Sequence, residues 1–193
     1  MQGIDVSHYQ GTINWSVVAK NKDVGFLYVK ATEGQSYVDD KYMANIKGAK
    51  QYGIKVGSYH FFRPTVDPET QYNHFLSVMK VSDQDLLPLI DVETISGASS
   101  INSFRQKLLL FCRLVAHAFN GQKPIIYTGK NFYDKYFAYN SDFSQYKFMI
   151  ASYIGDEPIL ADNADYLIWQ YTGKGTINGI KGHVDRSCFI GVH

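Results

Sequence analysis

The sequence has 193 residues, 45% of them apolar, enough to bury one sizeable core, so a single domain over residues 1–193 without an appended binding module is expected. Nineteen basic against eighteen acidic residues leave a formal charge of +1, which removes the long-range field that would draw the chain to nucleic acid or an anionic membrane. There is no run of eighteen apolar residues, and the opening "MQGIDVSHYQG" has no basic or apolar leader character, so neither a membrane span nor an export signal is expected.

Along the chain, short runs rich in β-branched and aromatic residues predict strands at "GIDVS" (3–7), "FLYVKA" (26–31) and "KVGSYHF" (55–61), with Gly53 stopping the helix that ends in "AKQY". Tyr72, Phe75, Leu76 and Met79 then recur at helical spacing. A strand follows at "LPLIDVE" (87–93), and Phe104, Leu108, Phe111 and Val115 mark a second helix, which Gly121 terminates. Further strands are predicted at "PIIYT" (124–128), "KFMIAS" (147–152) and "YLIWQY" (166–171), and "TGKGTINGIKG" (172–182) reads as a Gly-rich turn or hairpin. This alternation is that of parallel β/α units. Seven or eight of them predict an α/β fold, an irregular TIM-like (β/α)8 barrel. A typical barrel of this kind needs about 250 residues, so this one is trimmed, with reduced helices in the C-terminal third. Cys112 and Cys188 are too few for a disulfide framework and are expected as free thiols.

Two carboxylates interrupt the run at 87–93. In a strand Asp91 and Glu93 share one face, about 6.6 Å apart along the backbone, while Ile90 and Val92 take the other. The helix-covered face of a barrel strand demands apolar residues, so the acids point inward at the C-terminal strand end, where barrel active sites form. Burial and mutual repulsion there raise at least one carboxyl pKa, as a general acid requires. An equally good reading of a D-x-E in isolation is structural, one acid capping the next helix and the other pairing with Lys30 or Arg63. Asp5, opposite Ile4 and Val6 in the first strand, adds a third inward acid, and Asp185 in "GHVDRSCF" a fourth. Acids with Tyr59, Tyr127 and Trp169 nearby match the needs of glycoside cleavage: a proton for the leaving oxygen, negative charge near the anomeric carbon, and flat faces for sugar rings.

The ordered set "GIDVSHYQG", "INW", "FLYVKATEG", "VGSYHFFRP", "PLIDVE", "PIIYTG", "MIASY", "IWQYT" and "VDRSCFIG" resembles the motifs of glycoside hydrolase family 25, the lysozymes or N-acetylmuramidases, from residue 3 to about 191. That resemblance implies an irregular β/α barrel that cleaves the β-1,4 bond between N-acetylmuramic acid and N-acetylglucosamine in peptidoglycan. It implies Glu93 as general acid and base, held protonated near neutral pH, with Asp91 beside it and Asp5 and Asp185 completing the acidic cleft. Asp91 then either stabilises the oxocarbenium-like centre or orients the substrate's 2-acetamido group. Ser187 stands where the family often has Asn, which bears on the geometry around Asp185. By the same resemblance Tyr59, Tyr127 and Tyr153 contact sugar or acetamido groups, and Gln170 enters through "WQY". Glu33 is either a substrate contact or a solvated loop residue, and Trp169 either a stacking platform or core. His60 reads as structural, and His8, His74, His117, His183 and His193 show no ligand spacing, so no metal and no cofactor are expected. The implied partner is the peptidoglycan glycan strand, met by a monomer acting outside the cell or at the bacterial wall, secreted or released by a phage. The rival readings are a non-catalytic carbohydrate-binding barrel and a chitinase- or endo-glucosaminidase-type hydrolase.

Overall fold

The computed structural model describes residues 1–190, so His193 and Gly191, the last residue of the terminal motif, lie outside the described residues. Eight strands close into a barrel in the order β1 (Gln2–Val6), β2 (Phe26–Glu33), β4 (Lys55–Phe61), β5 (Leu89–Asp91), β6 (Ile125–Gly129), β7 (Phe148–Ala151), β8 (Ile168–Gly175) and β9 (Val184–Phe189), with β9 pairing back onto β1. A short β3 (Tyr37–Val38) lies antiparallel on the end of β2. Five helices accompany them: α1 (Trp15–Val18), α2 (Tyr42–Gln51), α3 (Pro68–Val78), α4 (Ile101–Ala118) and α5 (Lys130–Tyr136).

All seven predicted strands are present, and among the described residues no helix lies between β7 and β9, which matches the trimmed C-terminal third. Two features depart from a purely parallel barrel. Residues 184–189, read only as a motif, form β9, and it runs antiparallel to both β8 and β1. The cause is the connection: β8 and β9 are joined by a hairpin, and a short hairpin can only reverse the chain. Its turn is anchored where Asn14 N–H donates to Gly179 O at 2.8 Å. Gly179 has φ +99°, and a Cβ there would meet Asn14 O at 2.7 Å, so both backbone and space require glycine. The predicted strand 87–93 is also shorter than expected. Val92 N–H still donates to Tyr127 O at 2.9 Å, but Glu93 lies beyond the ladder, at the barrel mouth.

The helices follow their sequence signals. Asp67 caps α3 by accepting from Thr70 N–H at 2.8 Å, with Pro68 in the first turn, and Phe75 and Met79 are buried while Tyr72 and Leu76 pack partly buried beside them. Ser100 caps α4, whose Phe104, Leu108, Phe111 and Val115 are all fully buried. Each such side chain contributes roughly 1.5–3 kcal/mol by leaving water. Gly53 and Gly121 adopt positive φ, 75° and 85°, just beyond the helices they end.

Strand alternation sorts the apolar residues into two layers. Ile4, Leu27, Val29, Ile90, Val92, Ile126 and Ile150 face the helices. Phe26, Tyr28, Leu89, Ile125, Met149 and Ile168 face inward and fill the lower barrel. Two residues further along the same strands, on the same inward face, stand Lys30, Asp91, Tyr127 and Gln170. The plug therefore gives way to a polar layer at the C-terminal strand ends. His60 points outward and is fully buried, with Nε2 donating to Gln71 Oε1 at 3.2 Å and Nδ1 accepting from Thr32 Oγ1 at 2.8 Å. Burial drops its pKa to about 3, so it stays neutral and structural, as expected.

Candidate active site

Four acids from three distant segments meet at this mouth. Asp5 and Asp185 are direct register partners across β1 and β9, while Asp91 ends β5 and Glu93 follows it. Together with Tyr28, Tyr59, Leu89, Tyr127 and Met149 they line a small hollow.

Their electrostatics follow from depth. Burial holds the Asp91 carboxyl well above the usual carboxylate range, the charge of Glu93 adds to this, and the cation of Lys30 opposes it. Burial likewise raises Asp5 well above its ordinary value, followed by the charge of Asp185, while the bond from Gln170 works the other way. Glu93, exposed at the mouth, and the half-buried Asp185 are raised less, again chiefly by loss of solvent. Within each pair the deeper acid, Asp91 or Asp5, carries the stronger upward shift. Glu93, the acid expected to hold the proton, is thus raised as a general acid requires, and Asp91 is raised further because loss of solvent penalises the deeper anion more. Among the described residues Asp91 Oδ1, which is fully enclosed, has no hydrogen-bond partner, although Asp91 borders the hollow.

Gln170, 1% exposed, organises the opposite wall. Its Oε1 accepts from Tyr127 Oη at 2.9 Å and from Tyr153 Oη at 2.5 Å, so its amide faces one way only, and Nε2 donates to Asp5 Oδ2 at 3.0 Å. Tyr127 and Tyr153 thus belong to the site, as the motif match implied, with hydroxyls engaged by Gln170. Tyr59 lines the hollow beside them.

The remaining expected residues divide. Glu33 does border the groove, but its carboxylate accepts from Lys30 Nζ at 2.8 Å, from Arg63 Nε at 3.0 Å and from Arg63 Nη2. Those two cations outweigh the burial that would raise its pKa and lower it instead. Lys30 and Arg63, weighed in the sequence as partners for Asp91 or Glu93, are Glu33's partners; both also stack over the ring of Phe61. Trp169 is half-buried and does not line the hollow. It sits between inward Ile168 and Gln170, hence on the outer face of β8, with Nε1 donating to Ser152 O at 2.9 Å and its ring 5.8 Å from that of Tyr171. Ser187 is fully buried between Gly3 and Gln170 in register, and its hydroxyl lacks a partner.

The hollow continues into two lobes. One runs toward β1, β2 and β4 and includes Tyr9, Gln10, Lys30, Glu33 and Arg63 with Asp5, Asp91 and Asp185. The other runs toward β6 and β7 and includes Glu93, Tyr127, Asn131, Phe132, Tyr153 and Ile154. Sequence reasoning passed over Tyr9 and Gln10, which follow the first strand in a turn; their only signal was position just beyond an inward Asp5.

The profile described as "Glycosyl hydrolases family 25" matches residues 4–180. Lysozyme M1 of Streptomyces globisporus is 32% identical over 99% of this chain and 68% of its own length. Among solved structures, a family 25 glycosyl hydrolase from Bacillus anthracis superposes with a TM-score of 0.88 at 30% identity, covering 99% of this chain and 89% of that one. The bacterial lysozyme from Streptomyces coelicolor gives 0.86 at 32% identity over 99% and 92%.

Proposed function

This chain belongs to glycosyl hydrolase family 25, and from that membership we infer a lysozyme, a muramidase that hydrolyses the β-1,4 bond between N-acetylmuramic acid and N-acetylglucosamine in peptidoglycan. The observation that carries the assignment of roles is the Asp91–Glu93 pair, two acids that line one hollow at the mouth of a closed barrel and are both raised by burial.

Glu93 is the general acid. A sugar ring covering the exposed Glu93 strips its solvent and raises its proton affinity. Glu93 then gives its proton to the glycosidic oxygen as the bond to the anomeric carbon breaks. Asp91, which borders the same hollow, acts as the anion where positive charge develops, either facing the anomeric centre or accepting an N–H from the substrate's acetamido group. After the leaving group departs, Glu93 is a carboxylate and takes a proton from the incoming water. Asp5 and Asp185 line the same hollow as a second pair of acids, with Asp5 oriented by Gln170. All four acids come from one chain, so the monomer is the working unit. The place of action is the bacterial wall, where the substrate lies; among the described residues no helix is long and apolar enough to cross a membrane.

Mass spectrometry of fragments released from purified peptidoglycan tests this reading. Muramic acid at the new reducing ends is the expected result. N-acetylglucosamine there would move the activity to a glucosaminidase, and no new reducing ends would leave only a sugar-binding barrel.

A further inference from the structure

The two lobes of the groove differ in which acids they hold. Glu93 lines the β6–β7 lobe and is absent from the other, whereas Asp5, Asp91 and Asp185 line the β1–β2–β4 lobe. An acid that protonates the leaving oxygen stands on the leaving-group side of the bond. A β-1,4 glycan is therefore laid with its reducing end toward β6 and β7 and its non-reducing end toward β1, β2 and β4.

In that second lobe stands Tyr9, whose 81% exposure is the highest of any aromatic side chain described. Its ring is backed by the imidazole of His8, with centroids 4.1 Å apart and planes 35° from parallel. His8 is fixed in turn, since Nδ1–H is shared between Asp39 Oδ2 at 2.8 Å and Tyr37 Oη at 2.9 Å, and its backbone N–H also donates to Asp39 at 2.9 Å. The Asp39 side chain is completely buried. The backbone of the turn is locked as well, with Ser7 Oγ accepting from Tyr9 N–H and Gln10 Oε1 accepting from Ser7 N–H at 2.9 Å. An exposed ring on a braced turn loses little entropy when a ligand covers it. Polar Ser7, Gln10 and Arg63 share the lobe with it. A flat apolar face ringed by hydrogen-bonding groups matches a pyranose ring, which presents C–H bonds on one face and hydroxyls around its edge.

We propose that Tyr9, backed by His8 and braced through Asp39 and Tyr37, is the platform of a distal subsite that takes an N-acetylated hexosamine ring on the non-reducing side of the scissile bond. The polarity rests on the muramidase reading and on Glu93 as its acid.

Aryl β-glycosides of muramyl oligosaccharides test the subsite, because with an aryl leaving group each added sugar extends the substrate only toward its non-reducing end. In the wild type kcat/KM should step up at the length that reaches Tyr9. Tyr9→Ala should lose that step, about 3- to 10-fold, and leave the single-sugar glycoside unchanged, while Tyr9→Phe, which keeps the ring, should retain it. Calorimetric titration of longer oligosaccharides into Glu93→Gln and into Glu93→Gln with Tyr9→Ala gives a readout independent of turnover, with the same loss of affinity expected. An intact step in Tyr9→Ala, equal losses at every length, or equal affinities of the two titrated variants would overturn the subsite. Failure of the wild type to release reducing ends from peptidoglycan would instead strike the muramidase reading and leave the titration to decide on Tyr9.

Discussion

Replacing Asp91 by Asn should make the protein more stable and far less active at once. Asp91 is 7% exposed, and its carboxyl is held well above the ordinary range by burial and then by Glu93. In the unfolded chain an aspartate ionises near about pH 3.9. Between that value and its raised native value the folded protein binds more protons than the unfolded one, so the contribution of Asp91 is fully present below about pH 3.9 and is lost as pH rises through its native pKa. The slope is at most about 1.4 kcal/mol per pH unit, which limits the loss to about 4 kcal/mol by pH 7. Asn keeps the shape and does not titrate. The variant should therefore match the wild type near pH 4 and exceed it at pH 7 by a margin of up to about 4 kcal/mol, while losing the anion the reaction needs. Urea unfolding followed by circular dichroism across this range, alongside release of reducing ends, measures both. Equal gains near pH 4 and pH 7, or a variant less stable than wild type at pH 7, would refute the reasoning.

Two further outcomes follow from the same geometry. Glu93→Gln has no proton to give, so kcat should fall by about 10²–10⁴ with the circular dichroism spectrum unchanged; near-normal clearing of cell-wall suspensions would remove Glu93 from the acid role. Gln170→Leu deletes the N–H that favours the carboxylate of Asp5, so the limb of the kcat/KM profile set by Asp5 should move to higher pH, with about 1–3 kcal/mol of stability lost for each buried group left unpaired. An unshifted pH profile would show that Gln170 acts only as packing.

Much of the fold was legible because strand and helix periodicities are local. The stripe Phe104, Leu108, Phe111 and Val115 specifies one helix face wherever that helix packs, and it is the face found fully buried. The inward direction of Asp91 was legible for the same reason, since the neighbouring Ile90 and Val92 leave it no other side. Strand β9 was not, because "VDRSCF" mixes charge into a segment that forms a strand only through its partners β8 and β1. Trp169 misled because an aromatic residue beside a site motif reads the same whether it faces in or out; its parity with Gln170 settles the matter only once Gln170 is known to reach Asp5.

By itself the sequence determined which residues share a face, where helices stop, and that acids stand at strand ends, since each depends only on neighbours a few positions away. Only the tertiary structure decided that β9 returns antiparallel to set Asp185 against Asp5, that Lys30 and Arg63 are taken by Glu33, and that Asp91 lies deeper than Glu93. Those outcomes depend on barrel closure and on relative depth, and depth is a property of the whole packed chain.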